Sequence, residues 1–178
     1  ASDVYKRQQS KNSVVELDAD LVELVRSWVA DLPRSPRVSL RAADAFDALH
    51  GWRSDRFDVL IRDTFSNALT PAPLRSIEAA SAAKRVLKPG GMFLANAALA
   101  PDQRELADEI VTLREVFGHI EVITEPSALK KRRRTNAIIV AGRPLTEAAD
   151  QAIRTDAVTV RVLEQKTVDR LASGGKIV

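Results

Sequence analysis

Short β-rich runs alternate with longer amphipathic stretches over most of this 178-residue chain, and that alternation constrains the fold more than any other feature. The pattern predicts strands at residues 14–17, 38–40, 57–61 and 92–95, with long helices at 71–87 and 101–117. Such alternation is typical of a parallel sheet that is covered by helices on both faces. We therefore predict an α/β fold.

Two further β-rich runs, at residues 119–124 and 136–141, are joined by a basic segment in which no helix is expected. A parallel pair would need a crossover of about a dozen residues or more, usually helical, so these runs are predicted to pair antiparallel. Beyond residue 145 the pattern is weaker. It predicts a polar helix, a strand at 158–162 and a last short helix before Gly174.

Composition excludes several classes of site. The chain has no Cys and only two His, so a disulfide framework, a thiolate zinc site and a His-rich metal cluster are all excluded. No apolar stretch approaches the roughly 18 residues that span a bilayer, so we expect a cytoplasmic protein with no membrane segment. The net charge of +3 comes from the basic run 130–134, without which the chain would be slightly acidic. A nucleic-acid partner is therefore not expected.

Three acidic residues fall where predicted strands end, which is where open α/β sheets bind ligands. Glu16 sits near the end of the first strand and could accept hydrogen bonds from ribose hydroxyls, or act as a helix-dipole or capping carboxylate. Asp44 follows the second and could accept from an adenine amino group, or cap a helix. Asp63 follows the third and could face a reacting centre, or order a loop as an Asx turn. Three acids at successive strand ends are stronger evidence than any one.

Four short motifs accompany these strands and carry a family resemblance. In chain order they read VVELD, AADAF, FDVLIRDTFS and LKPGG. Over residues 14–142 the chain resembles the spermidine synthase-like branch of class I S-adenosylmethionine-dependent enzymes. The resemblance implies a Rossmann-like methyltransferase fold, whose sheet is mostly parallel with a C-terminal antiparallel strand.

The same resemblance implies a role for each site residue. Glu16 matches the acid that binds the ribose, and Asp44 the acid that reads the adenine amino group, with Ala45 contributing from its backbone. Asp63 matches the first acid of a DSSDP-like catalytic loop. Ser66 stands at the second acid of that loop, and a hydroxyl is a poor base for an ammonium group. We expect Asp63 and Ser66 to form the catalytic part of the site.

Departures from the family pattern predict the domain organisation. Nothing before Val14 matches the family's first strand or its glycine-rich loop, so we expect the chain to lack both and to be inactive by itself. Residues 1–12 are expected to be a non-native or disordered leader. Residues 13–142 would form a partial nucleoside-binding domain, and residues 143–178 a C-terminal extension.

Three functions follow from these features. The first is transfer of an aminopropyl group from decarboxylated S-adenosylmethionine to an amine such as putrescine. The second function has the same fold, but the protein is an S-adenosylmethionine-dependent methyltransferase or a non-catalytic relative. The third is a polyanion-binding module that uses Lys130 to Arg134. In the first two, the sulfonium compound is a substrate and no metal is needed. The expected partners are a small amine and a nucleoside, and a homodimer is one assembly open to the chain.

Overall fold

A computed structural model describes residues 10–28, 37–67, 69–131, 134–156 and 159–178, which fall into two compact units, Ala1–Gly51 and Trp52–Val178. The strands are β1 (Asn12–Glu16), β2 (Val38–Ala42), β3 (Phe57–Arg62), β4 (Leu87–Leu99), β5 (Ile120–Thr124), β6 (Thr135–Ala141) and β7 (Arg161–Val162). The α-helices are α1 (Ala19–Trp28), α2 (Ala45–Gly51), α3 (Ile77–Val86), α4 (Arg104–Phe117), α5 (Pro126–Lys131), α6 (Glu147–Thr155) and α7 (Gln165–Ala172). A 3₁₀ helix spans Ala72–Arg75.

The first unit is a two-stranded parallel sheet with helices α1 and α2. Strands β1 and β2 pair in register from Asn12 opposite Val38 to Glu16 opposite Ala42. Asp18 precedes helix α1 and caps it, since its Oδ1 accepts the amide hydrogens of Asp20 and Leu21 at 2.9 and 3.0 Å. The expected parallel pairing of the first two strands is confirmed.

The second unit is a five-stranded sheet in the order β3-β4-β6-β5-β7. Strands β3 and β4 are parallel, and β6 lies between β4 and β5, antiparallel to both. Strands β3, β4 and β5 therefore run the same way, and β7 adds a short antiparallel edge to β5. The α/β fold class and the antiparallel pairing of β5 with β6 are confirmed.

Two details of the sequence prediction are wrong. The segment between β5 and β6 contains the short helix α5, which begins at a proline, a residue favoured in the first helical turn. The helix expected at 71–87 is interrupted. The 3₁₀ helix ends at Arg75, and the hydroxyl of the next residue, Ser76, caps α3 by accepting the amide hydrogen of Ala79 at 3.2 Å.

Helix α3 ends just before the LKPGG motif, and the motif lies inside β4, which begins at Leu87 and not at the predicted residue 92. Leu87 pairs with Phe57 and Met92 with Val59, so the residues between them bulge out of the ladder. Gly90 has φ of +75°, a backbone conformation that only glycine adopts easily. A side chain at Gly91 would lie 3.2 Å from the main-chain oxygen of Asp58. The two glycines therefore let the bulge close against β3.

The outer edge of β3 carries exposed apolar side chains. Strand β3 pairs only with β4, and β1 only with β2, so within the described residues each has one edge without a strand partner. Val59 is 44% exposed and Ile61 66%, and Leu17 just after β1 is 72% exposed. Such an edge leaves backbone groups uncovered, and the exposed apolar side chains beside it are open to association. The expected lack of the family's first strand stays a prediction.

The core of the second unit lies between its sheet and helices α3 and α4. Strand β4 and helix α4 supply its most buried residues, among them Leu99, Leu106 and Ile110. Residues after α7 run along α4, where the amide of Lys176 donates to Asp108 at 2.8 Å. No helix in the described part of the chain is long and apolar enough to cross a membrane.

Candidate active site

Glu16 and Asp44 lie at the same end of the first unit's sheet. Glu16 is the last residue of β1, and its main-chain oxygen accepts the amide hydrogen of Ala43 at 2.9 Å, just beyond the end of β2. The carboxylate of Glu16 accepts the amide hydrogen of Asp18 at 3.0 Å. Since neighbouring parallel strands end at one edge of a sheet, the two acids lie at the same end of this sheet.

Asp44 caps helix α2. Its Oδ1 atom accepts the amide hydrogens of Phe46 at 2.7 Å and of Asp47 at 3.1 Å, and Ala45 is the first residue of the helix. The capping alternative is therefore realised in the structure. Both bonds go to the Oδ1 atom of Asp44, so these capping bonds do not involve its Oδ2 atom. Adenine recognition by Asp44 and Ala45 stays a prediction.

Asp63 directly follows β3 in the second unit and is exposed. Its Oδ1 atom accepts a hydrogen bond of 2.9 Å from the Nδ2 atom of Asn96, which lies on the neighbouring strand β4. The Oδ1 atom of Asn96 is buried and has no hydrogen-bond partner among the described residues. The result is an exposed carboxylate beside an unused amide oxygen at the carboxyl ends of two parallel strands.

Sequence reasoning did not identify Asn96. The available signal was a lone polar residue in the otherwise apolar run MFLANAAL. A polar side chain in a buried strand needs a hydrogen-bond partner. The register of β4 on β3 makes Asp63 the partner of Asn96.

The loop after Asp63 contains a tight turn at Ser66. The main chains of Ser66 and Leu69 exchange hydrogen bonds of 2.8 and 3.1 Å, and Asn67 between them has φ of +51°. Asn tolerates this left-handed conformation better than most residues, which favours a turn here. Ser66 is exposed, as are the apolar side chains of Phe65 and Leu69. Asp63, Ser66, Phe65 and Leu69 therefore expose a carboxylate, a hydroxyl and two apolar groups on this loop.

A buried ion pair lies beneath this loop. Arg62, the residue before Asp63, is 8% exposed and donates to the carboxylate of Glu109, which is 1% exposed. Burial raises the pKa of the Glu109 carboxyl, and the Arg62 guanidinium beside it offsets part of that rise. Sequence reasoning missed this pair, although Glu109 falls among the buried positions of α4 between Leu106 and Ile110.

The five predicted site residues divide between the two units. Glu16, Asp44 and Ala45 belong to the first unit, and Asp63 and Ser66 to the second. Each set lies at or just beyond the carboxyl ends of parallel strands. A common cleft for all five stays a prediction.

Two other predicted features are located as follows. In the described part of the chain no group of three or more His, Asp or Glu side chains could hold a metal ion. The basic run begins on α5 with Lys130 and Lys131, while Arg132 and Arg133 lie outside the described residues. The polyanion-binding alternative gains no support from the described residues.

Comparisons with known proteins bear on the whole arrangement. Residues 2–130 match the family model of the spermine/spermidine synthase domain. The chain is 35% identical to a probable spermidine synthase of known structure from Corynebacterium glutamicum ATCC 13032, with a TM-score of 0.86. That match covers 99% of this chain and 65% of the other, so the chain spans less than two thirds of that relative. No curated protein sequence matches significantly.

More distant structures share the fold. Spermidine synthase from Thermotoga maritima is 17% identical, with a TM-score of 0.60 over 92% of this chain and 57% of the other. A spermidine synthase in complex with the transition-state analogue AdoDATO is 16% identical, with a TM-score of 0.61 over 92% and 58%.

Proposed function

The chain belongs to the spermine/spermidine synthase family, and on that premise we propose that its protein transfers an aminopropyl group from decarboxylated S-adenosylmethionine to an amine such as putrescine. The observation that carries the proposal is the exposed Asp63 carboxylate at the end of β3, held by Asn96. The family match does not favour the methyltransferase or polyanion-binding alternatives.

The reaction is a nucleophilic displacement. The lone pair of a neutral amine nitrogen attacks the aminopropyl carbon next to the sulfonium sulfur and forms a C–N bond. The C–S bond breaks, its electron pair goes to sulfur, and methylthioadenosine leaves as a neutral thioether. The new ammonium loses a proton to a carboxylate or to water. Such a step needs positioning and proton removal more than any metal.

Asp63 would hold the amine and take its proton. A carboxylate accepts charge-assisted hydrogen bonds from an ammonium group, which are stronger than bonds between neutral groups. The bond from Asn96 goes to the Oδ1 atom of Asp63, so it fixes the orientation of the carboxylate that would meet the amine. Ser66, at the turn of the same loop, would contribute a neutral hydroxyl.

Glu16, Asp44 and Ala45 would bind the nucleoside. Glu16 would accept from the ribose hydroxyls, and Asp44 from the adenine amino group, with the Ala45 backbone beside it. Their support is their position at the carboxyl ends of β1 and β2. The donor is a substrate in this scheme. A homodimer and a cytoplasmic location also stay predictions.

The test is a transfer assay on the protein expressed from its complete reading frame, with the 178-residue chain assayed in parallel. Decarboxylated S-adenosylmethionine and putrescine are supplied, and spermidine and methylthioadenosine are measured by mass spectrometry. The variant Asp63→Asn removes the charge at constant size, and we expect its rate to fall by about 100-fold or more. Asp58→Asn is the matched control, because Asp58 is an exposed acid on the same strand that pairs with Lys88. Methylated amine from S-adenosylmethionine, with no spermidine, would contradict the proposal.

A further inference from the structure

Arg62 connects the base of the Asp63 loop to three different elements. Its Nη2 atom donates to Glu109 on α4 and lies 3.5 Å from the main-chain oxygen of Asn96 on β4. Its Nη1 atom donates to the main-chain oxygen of Leu74, in the 3₁₀ helix at the far end of the loop, at 3.0 Å. One side chain therefore joins both ends of the loop to the strand and helix beside it.

Asn96 is contacted through both its main chain and its side chain. Its main-chain oxygen lies against Arg62, and its side-chain amide donates to Asp63. Arg62 and Asp63 therefore contact the same residue of β4, one through its main chain and the other through its side chain. Among the described residues from Arg62 to Arg75, Arg62 alone contacts β4, α4 and the 3₁₀ helix together.

Helix α4 also contacts the loop through Glu105, which lies one helical turn before Glu109. The Oε1 atom of Glu105 accepts the amide hydrogen of Thr70 at 3.2 Å and lies 3.5 Å from the Nε atom of Arg75. That Nε atom donates to the main-chain oxygen of Thr70 at 3.1 Å. Glu105 and Glu109 are four residues apart, so they lie on one face of the helix.

Stability alone does not account for the buried pair. Taking two charges out of water is costly, and apolar side chains of similar volume often serve a folded core as well or better. The pair is also incompletely bonded, since Arg62 Nε and Glu109 Oε1 are buried without hydrogen-bond partners among the described residues. An apolar pair could not donate to the main-chain oxygens of Leu74 and Asn96, as Arg62 does.

We propose that Arg62 and Glu109 are positioning residues that fix the Asp63 carboxylate for capture of the amine. The amine part of this inference rests on the proposed function. The positioning part stands on the contacts of Arg62 and Asn96 alone.

Two variants test the proposal. Arg62→Met combined with Glu109→Leu replaces the pair by apolar groups, and Arg62→Lys keeps the charge but loses the planar fork that reaches several acceptors. Arg114→Met is the control, because Arg114 pairs with Asp169 from the same helix α4 but on the side of α7. Melting temperature, the side-chain amide NMR signal of Asn96, and KM and kcat with putrescine are measured for each.

We expect all three proteins to fold. Both Arg62 variants should shift the Asn96 amide signal and raise KM for putrescine about 10-fold or more, while Arg114→Met changes neither. An unshifted Asn96 signal in the folded Arg62 variants would overturn the proposal. So would a normal KM in them, or failure of both to fold. If the unmodified protein makes no spermidine, the proposed function fails, and the Asn96 signal still decides the positioning role.

Discussion

Gly175 allows the end of the chain to lie directly on helix α4, and its replacement should detach that segment. A side chain at this position would contact the main-chain oxygen of Ala107 and lie 2.6 Å from its carbonyl carbon and 2.9 Å from a methyl group of Val111. Because two of these atoms belong to helix backbone, the clash cannot be relieved by a rotamer change. The neighbouring Gly174 has nothing within 4 Å, so Gly174→Ala is a matched control.

Three hydrogen bonds depend on this close approach. Lys176 donates to Asp108 at 2.8 Å, Val178 donates to the hydroxyl of Thr112 at 3.1 Å, and the amide of Ile77 donates to Val178 at 2.6 Å. At about 1 kcal/mol net for each bond, Gly175→Ala should lower the free energy of unfolding by about 3 kcal/mol. For a chain of this size that corresponds to a fall in Tm of about 6–12 °C.

Urea and thermal unfolding of the two glycine variants measure this difference, and hydrogen exchange locates it. The amide of Ile77, the first residue of α3, should exchange faster in Gly175→Ala than in Gly174→Ala. Equal melting temperatures and equal Ile77 exchange in the two variants would refute the reasoning, since the clash is predicted at Gly175 alone.

Three further predictions concern charge and exposure. Because burial raises the pKa of Glu109, the folded protein keeps that proton to higher pH than the unfolded chain. The free energy of unfolding of the unmodified protein, compared with that of Glu109→Gln, should thus fall as pH rises above 4.5. The fall is about 1.4 kcal/mol for each unit by which the folded and unfolded pKa values differ. Urea titrations at pH 4, 5.5 and 7 measure it, and a rise in this difference contradicts the prediction. Ile61→Lys, on edge strand β3, should reduce concentration-dependent light scattering while changing the free energy of unfolding by less than about 0.5 kcal/mol. Unchanged scattering would contradict the idea that this strand edge causes association. Ser66→Asp adds a second carboxylate to the loop, so it should lower KM for putrescine but not for propylamine; equal effects on both amines would exclude a specific contact.

The sequence predicted those parts of the fold that depend on local pattern. Apolar periodicity located β3 and α4, and the end of the apolar run placed Asp63 directly after β3 or at its end. Its role in a site stays a prediction. Local pattern also predicted that residues 119–124 and 136–141 pair antiparallel, since their connection is too short for a crossover.

The features that were missed depend on partners distant in the chain. The Arg62 side chain lies 47 residues from Glu109, and Asp63 lies 33 residues from Asn96. Nothing in the sequence around either residue specifies its partner, because the contact is set by the register of β3 on β4 and the packing of α4. Helix α5 was missed for a different reason. The adjoining basic run favoured a solvated loop, although Pro126 at the first position and the Ala, Leu and Lys that follow favour a helix.

The contacts that position Asp63 come from the side of β3 that faces β4. Asn96 reaches it from β4, and Arg62 anchors the same point to α4, whereas the outer edge of β3 has no strand partner in the described residues. The geometry of the carboxylate is therefore set within the second unit, by bonds that do not involve the open edge. Electrostatic and proton-transfer groups act best when their position is fixed before the substrate arrives. Thr70 in the loop after Asp63 is bonded to α4, and Arg62 at the end of β3 bonds to Leu74 beyond that loop, so the structure meets that condition for the amine half of the proposed reaction.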